Sequence, residues 1–490
     1  MEFFIYKKKI DFSKIGNKYL ASFFQIKYNI KYKEQEYYVK TMEDRMRLGF
    51  IRKLSLSRKL ILGFMLAILC GTFLLMLPCS STGGKSLRFL TSLFTITSAV
   101  CVTGLSVIDV GKELSFCGQI ILLIFIQLGG LGIMTFSSFI LLLVGKKITY
   151  EERELLKEER NLENNGGILG FLKKIILTVV TIEVIGAIFL FLKFKEDMPL
   201  SKAIYYGIFH SISAFCNAGF SLFSNNLESY NNSFIVIMTI AYLIIIGGIG
   251  FTVIDSIIRA VRKKIKRFDL TSKVAILISF ILVITGTMLF FVLEYNNPGT
   301  IGNMSFSQKL LSSFFQSVTT RTAGFNSVPF DHLRRGTIFL FCILMFIGAS
   351  PGSTGGGIKT TTVGVIIFYV ISVVKKKQNV VIFNRRIGWE LLNRAIVILV
   401  LALCYVGIIT FIILSIENFT LEETMFEVTS AFGTTGLSLG ITKDLGTFSR
   451  ILIICTMFLG RLGPMTFALA FGGTNKIEKI QFPKENILVG

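Results

Sequence analysis

From residue 57 onward the chain alternates between long and short apolar runs, with polar residues gathered at the joints. Eight runs reach the length of about 20 residues that a helix needs to span the hydrocarbon core. They are 57–78, 116–144, 171–193, 233–258, 272–293, 336–372, 393–415 and 449–472, the sixth being interrupted. Four shorter runs, near 88–99, 203–214, 308–319 and 422–431, cannot cross and fit re-entrant half-helices. The order long, short, long recurs four times, so the pattern predicts four units of membrane helix, half-helix, loop and membrane helix.

Each short run leads into a turn around one glycine. The stretches are Phe94 to Ser106 (FTITSAVCVTGLS), Phe209 to Ser221 (FHSISAFCNAGFS), Phe314 to Asn326 (FFQSVTTRTAGFN) and Phe426 to Ser438 (FEVTSAFGTTGLS). Set on Gly104, Gly219, Gly324 and Gly436 they match without a gap, with Phe ten residues before each glycine. The glycines recur about every 110 residues, far too long a period for a solenoid. Non-helical backbone at membrane depth survives only where it is buried in protein or lines a wet cavity, and four such loops argue for a shared one. The expected fold is an all-α polytopic membrane protein with four pseudo-symmetric helix–pore-loop–helix repeats around one central pore. The repeats fall at 56–146, 168–262, 270–374 and 389–473, between a basic cytoplasmic arm, 1–55, and a cytoplasmic tail, 474–490.

Composition fits the membrane class, at 52% hydrophobic with a mean hydropathy of +0.67. The formal net charge of +22 could point to nucleic acid, but its distribution argues otherwise. Basic residues crowd the N-terminal segment (Lys7, Lys8, Lys9, Arg45, Arg47, Arg52, Lys53, Arg58, Lys59), the run 259–267, and the region of Lys375, Lys376, Lys377, Arg385 and Arg386. All of these share one side if the termini and inter-repeat loops are cytoplasmic, which is the positive-inside pattern. No nucleic-acid partner is expected. Residues 1–50 lack the h-region and cleavage site of a signal peptide. Two readings of them stay open: a cytoplasmic arm, or an upstream start, with Met42 or Met46 opening the compact protein. The eight Cys show no C-x-x-C, and with two His no metal cluster is expected.

The loops carry the candidate chemistry. A cation crossing a bilayer must exchange its water shell for fixed oxygens, and backbone carbonyls supply these without burying charge. Glycine lets the chain turn them toward an axis. The residues before each glycine are Val102-Thr103, Asn217-Ala218, Thr322-Ala323 and Thr434-Thr435, small or neutral, with no acid among them. A ring of Asp or Glu, the usual device for divalent ions, is absent from them, so the loops read as selecting a dehydrated monovalent cation. The competing reading, four glycine turns placed for packing, leaves the matched offsets unexplained. Arg321 stands three residues before Gly324, where the other loops have Cys101, Cys216 and Gly433. It is expected to point behind the loop and anchor it to a carboxylate or to carbonyls.

These four loops, TSAVCVTGLS, SAFCNAGFS, TTRTAGFN and TSAFGTTGLS, resemble the pore loops of the Trk/Ktr/HKT potassium-transporter superfamily, nearest to the KtrB-type ion-translocating subunits of bacterial Ktr systems. The resemblance covers roughly residues 50–490. It implies potassium uptake across the bacterial plasma membrane, with potassium held by the filter carbonyls of Val102, Thr103, Gly104, Asn217, Ala218, Gly219, Thr322, Ala323, Gly324, Thr434, Thr435 and Gly436. It also implies sodium dependence as an open option, homodimers with one pore per subunit, and a cytosolic ring of nucleotide-binding KtrA-type regulatory subunits. No organic cofactor is expected, because the chain has no G-x-x-x-x-G-K-[ST] motif and no Rossmann pattern. A sodium-selective relative, in which serine replaces the first filter glycine, is disfavoured by Gly104. An intramembrane enzyme would need a nucleophile–base or metal constellation in the spans, and His210 and His332 are expected at the outer edge without partners.

The sixth run is broken by Gly348-Ala-Ser-Pro-Gly-Ser-Thr-Gly-Gly-Gly357, a density of glycine and proline no helix sustains. Its apolar flanks favour one interrupted span over two helices joined by a cytoplasmic loop. The resemblance implies that this segment, through Gly348, Pro351, Gly352, Gly355, Gly356 and Gly357, blocks the pore below the filter and moves to open it. Arg461, about a dozen apolar residues into the last run, occupies the place of Gly130 in the first repeat. A charge at that depth is a functional candidate, and the resemblance makes it the pore-facing arginine beside the gate. Lys359 receives no role from the sequence.

Overall fold

The computed structural model describes residues 56–132, 135, 168–263 and 268–466. The expected N-terminal arm at 1–55, the end of the first repeat at 136–146 and the tail at 474–490 lie outside the described residues. Two compact units divide the chain, Met1–Lys59 and Leu60–Gly490, and the helical body belongs to the second.

Its helices fall into four groups of one pattern. The leading helices are Leu56–Leu75, Ile168–Asp197, Leu270–Glu294 and Trp389–Ile416. The short helices are Phe89–Val100, Leu200–Phe215, Phe306–Thr319 and Leu421–Gly433. The closing helices are Phe116–Leu131, Phe234–Ile249, Arg335–Phe346 and Thr447–Leu462. The third group adds Thr360–Val374, and an antiparallel pair of two-residue strands, Val381–Ile382 with Arg385–Arg386, links it to the fourth. Helix starts follow the side chains that can satisfy free N–H groups. Ser115 accepts from Gly118 N at 3.2 Å and Asp269 from Ser272 N at 3.1 Å, while Thr420 and Glu423 form a capping box.

Among the described residues, four helices are long and apolar enough to cross a membrane, or five if the bent pair Phe234–Ile249 and Phe251–Val261 is one span. The reason is local. Closing helices one, two and four each stop at a glycine with positive φ, Gly132 (81°), Gly250 (102°) and Gly463 (86°). After Gly250 the helix resumes bent by 101°, so the continuous span expected at 233–258 is broken. Just before each stop a glycine lets the closing helix lie against the last turn of its own short helix. A Cβ on Gly129, Gly247 or Gly460 would overlap the carbonyl of Val100, Phe215 or Phe432.

Each short helix turns a phenylalanine near its middle into the core: Phe94, Phe209, Phe315 and Phe426 are fully buried. The gapless match expected from sequence therefore slips in the third repeat, where Phe314 stands ten before the glycine but Phe315 fills the equivalent space. The turn after it is also one residue tighter. Thr103, Ala218 and Thr435 donate from N five residues back, to Ser98, Ser213 and Ser430, whereas Ala323 donates four back, to Thr319.

Candidate functional site

The four loops meet in a closed ring. A Cβ on Gly104 would lie 2.6 Å from the carbonyl oxygen of Ala218, one on Gly219 2.8 Å from that of Ala323, and one on Gly324 2.5 Å from that of Thr435. A Cβ on Gly436 would overlap the carbonyl of Thr103. Each repeat thus touches the next, and the fourth returns to the first.

Within each loop the backbone alternates in hand. The residue two before each glycine is left-handed, Val102 (φ 57°), Asn217 (60°), Thr322 (66°) and Thr434 (50°), and the glycines have φ of 98°, 68°, 79° and 87°. Holding a non-glycine residue there costs of order 1–3 kcal/mol and persists only where the surroundings impose it. The surroundings are the short helices. The backbone N of Thr103 reaches Ser98 O at 2.7 Å, and Gly104 N reaches Ser98 Oγ at 2.9 Å. Thr435 N and Gly436 N bond Ser430 in the same way, at 2.8 and 3.0 Å. In repeats two and three, Ser213 Oγ and Thr319 Oγ1 instead donate to the carbonyls of Phe220 and Phe325 just past the glycine, at 2.8 and 2.5 Å.

The amides are thus drawn outward and the carbonyls are left over. Among the described residues the carbonyls of Val102, Thr103, Gly104, Asn217, Ala218, Gly219, Thr322, Ala323, Thr434, Thr435 and Gly436 accept no hydrogen bond. Only Gly324 O is tied, by Asn226 Nδ2 at 3.3 Å. Such a ring offers stacked carbonyl oxygens to a monovalent cation.

A second layer of struts holds the second, third and fourth loops beyond their glycines. The residue after the buried phenylalanine reaches forward past the glycine: His210 Nε2 to Ser221 Oγ at 3.0 Å, Gln316 Nε2 to Ser327 Oγ at 3.2 Å, and Glu427 Oε2 accepting from Ser438 Oγ at 2.7 Å. Glu427 Oε1 also accepts from Thr442 Oγ1 at 2.6 Å. Sequence reasoning missed these struts, since each chemistry differs; a polar residue straight after the repeat's phenylalanine was the available signal. The expectation that His210 lacks partners is corrected. It is buried, bonds Tyr206 O at 2.8 Å through Nδ1 and stacks on Phe223 with centroids 4.8 Å apart. His332 is exposed, with Asp331 at 3.6 Å. On the outer rim, Asn326 donates to Glu228 at 2.8 Å, and burial raises the Glu228 carboxyl above its usual pKa against that bond.

Arg321 is buried and turned away from the ring, with Nη2 donating to Ser279 Oγ of the third leading helix at 2.9 Å. Its partner is a hydroxyl, not the carboxylate or carbonyls expected.

The glycine-rich segment lies beneath the ring. Gly348 to Ser350 and Gly352 to Ile358 are buried, so an exposed loop between two helices is excluded. Gly356 N donates to Thr434 Oγ1, a ring residue, at 2.9 Å, and Gly357 N to Gly460 O at 3.1 Å. On the other flank Ser350 N reaches Gly248 O at 3.0 Å, Thr354 N reaches Gly247 O at 3.2 Å, and Phe251 N returns a bond to Gly352 O at 3.0 Å. Gly355 packs under the Thr322 side chain, where any Cβ would overlap it. Pro351 O lies 2.6 Å from the Cβ position of Gly250. Arg461 donates through Nη1 to Thr354 O and through Nη2 to Gly129 O, joining the segment to the first and fourth repeats. Lys359 Nζ donates to Gly355 O at 2.8 Å, a clip the sequence did not reveal.

The family TrkH, described as a cation transport protein, matches residues 57–480. The Ktr system potassium uptake protein B of Bacillus subtilis is 41% identical over 431 residues, 88% of this chain and 96% of that one. The Vibrio alginolyticus protein of the same name is 36% identical over 433 residues, covering 88% and 94%. The potassium/sodium uptake protein NtpJ of Enterococcus hirae is 37% identical over 455 residues, covering 92% and 99%. Among solved structures, the potassium transporter TrkH from Vibrio parahaemolyticus superposes with a TM-score of 0.65 over 84% of each chain at 18% identity, a likeness of fold.

Proposed function

Because the chain belongs to the TrkH family of cation transport proteins, we propose that it is a multi-pass membrane protein that admits potassium through one pore built from its four loops. The observation that carries the reading is the closed ring, with its outward-drawn amides and unpartnered carbonyls. A potassium ion entering it exchanges water for the oxygens of Val102 to Gly104, Asn217 to Gly219, Thr322 to Gly324 and Thr434 to Gly436. The C-terminal ends of the four short helices lead into the loops and add negative partial charge behind them. Movement is channel-like, driven by a membrane potential worth about 2.3 kcal/mol per charge per 100 mV.

Below the filter, the segment 348–357 is the gate. In the closed state it fills the space under Thr322 and Thr434 and is held against Arg461, whose charge opposes a cation in the cavity. Opening releases these bonds and withdraws the segment along its glycines. The relatives named for a Ktr system support a multi-component assembly. Its form here is a homodimer carrying a cytosolic ring of nucleotide-binding KtrA-type subunits, in a bacterial plasma membrane with cytoplasmic termini.

A second property is sodium dependence, favoured by the Enterococcus relative, which is named for both ions. The deciding experiment is growth rescue of a potassium-uptake-deficient bacterium at low potassium, with and without a KtrA-type partner and with and without sodium. Rescue at low potassium is expected; no rescue from well-expressed protein under any of these conditions would overturn the reading.

A further inference from the structure

We propose that Cys79 and Cys117 form a reversible disulfide that clamps the filter-bearing segment of the first repeat. Their sulfurs lie 3.9 Å apart, and both residues are exposed and free. The backbone around them is already stitched together on both sides. Ser115 Oγ donates to Cys79 O at 2.5 Å, Ser115 N to Ser80 O at 3.0 Å and Thr82 N to Glu113 O at 3.0 Å. Ser81 and Leu114 pair as an antiparallel bridge, and Gly118 packs so closely that a Cβ there would overlap Ser80 O. The two sulfurs have to close from 3.9 Å to the bonding distance of about 2.05 Å. Of the other cysteines, Cys101, Cys216 and Cys342 are buried, and Cys70, Cys404 and Cys455 are exposed but lie inside helices rather than at their joints.

The pair joins the end of the leading helix Leu56–Leu75 to the start of the closing helix Phe116–Leu131, enclosing the short helix and the loop at Gly104. It faces outward, a placement that rests on the proposed topology, and so meets extracellular oxidants rather than the reduced cytosol. The oxidant is an external disulfide. One cysteine loses its proton, its thiolate attacks the external S–S bond, and the first external thiolate leaves. The second cysteine, deprotonated in turn, attacks the mixed disulfide and expels the other. Two S–H bonds break and one S–S bond forms. The two electrons and two protons reduce the oxidant to two thiols.

The test uses intact cells expressing the full chain. They are treated with a membrane-impermeant disulfide, blocked with N-ethylmaleimide and digested with trypsin, which can cut after Lys85, Arg88 and Lys112 between the two cysteines. Non-reduced peptides carrying Cys79 and Cys117 are expected to be linked, to separate on reduction, and to be unlinked in Cys79→Ser and in Cys117→Ser. The linked protein should also lose rubidium uptake several-fold more slowly on heating than the reduced one. Two alkylated thiols after both the impermeant oxidant and permeant diamide would overturn the pairing. Linkage by diamide alone would overturn the outward topology instead.

Discussion

Replacing Gly104 by serine tests the proposed filter at a point where the ring leaves no room for a side chain. The glycine has φ +98°, and an added Cβ would lie 2.6 Å from Ala218 O and 3.1 Å from Gly219 Cα. A side chain at this φ costs of order 1–3 kcal/mol, and overpacking a close contact typically costs a further ~1–3 kcal/mol. Both neighbours are backbone of the next loop, so relief comes by pushing the Ala218 carbonyl off its line and widening the ring. If only about 1.4 kcal/mol of this strain falls on the difference between potassium and sodium, discrimination drops tenfold. Competition uptake of rubidium against sodium in cells or proteoliposomes reads that ratio directly. The expected result is a loss of discrimination of tenfold or more with protein still in the membrane. The same change at Gly219, Gly324 and Gly436 should act alike, since each faces a neighbouring carbonyl. Unchanged selectivity in all four single variants would refute the filter assignment.

Topology can be checked with single cysteines: one at Asn225 should label only from outside and one at Lys376 only from the cytoplasm, and labelling from a common side would break the four-unit arrangement. Deleting Ser353 to Gly356 should remove the obstruction below the ring, and Arg461→Ala should lower the electrostatic barrier, large where the local dielectric is low. Both should raise potassium flux in proteoliposomes without a regulatory partner; folded variants with flux at or below wild type would make the segment a structural linker. Glu427→Ala leaves the half-buried Ser438 hydroxyl without its acceptor, while Thr442 Oγ1 keeps a bond to Ser438 Oγ at 2.9 Å, at about 1–3 kcal/mol for the hydroxyl left unmet. The detergent-solubilised protein should therefore unfold at lower temperature, and an unshifted transition would show that Glu427 is no strut.

Much of this architecture was legible because membrane length and repetition are strong signals. The leading helices are long and nearly uniform in hydropathy, so their positions follow from composition. The closing helices were harder. Gly132, Gly250 and Gly463 each follow a glycine by two or three residues within an apolar run. Hydropathy cannot separate a glycine that packs a helix from one that ends it with positive φ. The slip at Phe314 was hidden for a similar reason: two adjacent phenylalanines make either alignment plausible, and only burial distinguishes them. The struts were invisible because histidine, glutamine and glutamate share no pattern, though all three reach the same place. Arg321 reached the expected side of the loop, but its partner could not be named. Ser279 lies 42 positions away on another helix.

The third repeat is where the fourfold pattern fails, and the failure locates the proposed gate. Three repeats end their closing helix at one glycine; the third inserts the segment 348–357 before Thr360–Val374 begins. A ring of four equal units would leave its axis open below the filter, whereas one long insertion can reach across it. Seven hydrogen bonds hold the insertion to its neighbours: those of Ser350 N, Thr354 N, Thr354 Oγ1 and Gly352 O with repeat two, and those of Gly356 N, Gly357 N and Thr354 O with repeat four. At about 0.5–1.5 kcal/mol net for each, the set contributes roughly 4–10 kcal/mol to the closed state. Moving a two-state equilibrium from 1:99 to 99:1 takes about 5.5 kcal/mol. The anchoring therefore lies in the range that a bound regulatory partner can offset, and removing any one bond should shift the open population by only a small factor. A segment fixed by a single buried ion pair could not be released in such steps. One made of glycine amides and borrowed carbonyls can be.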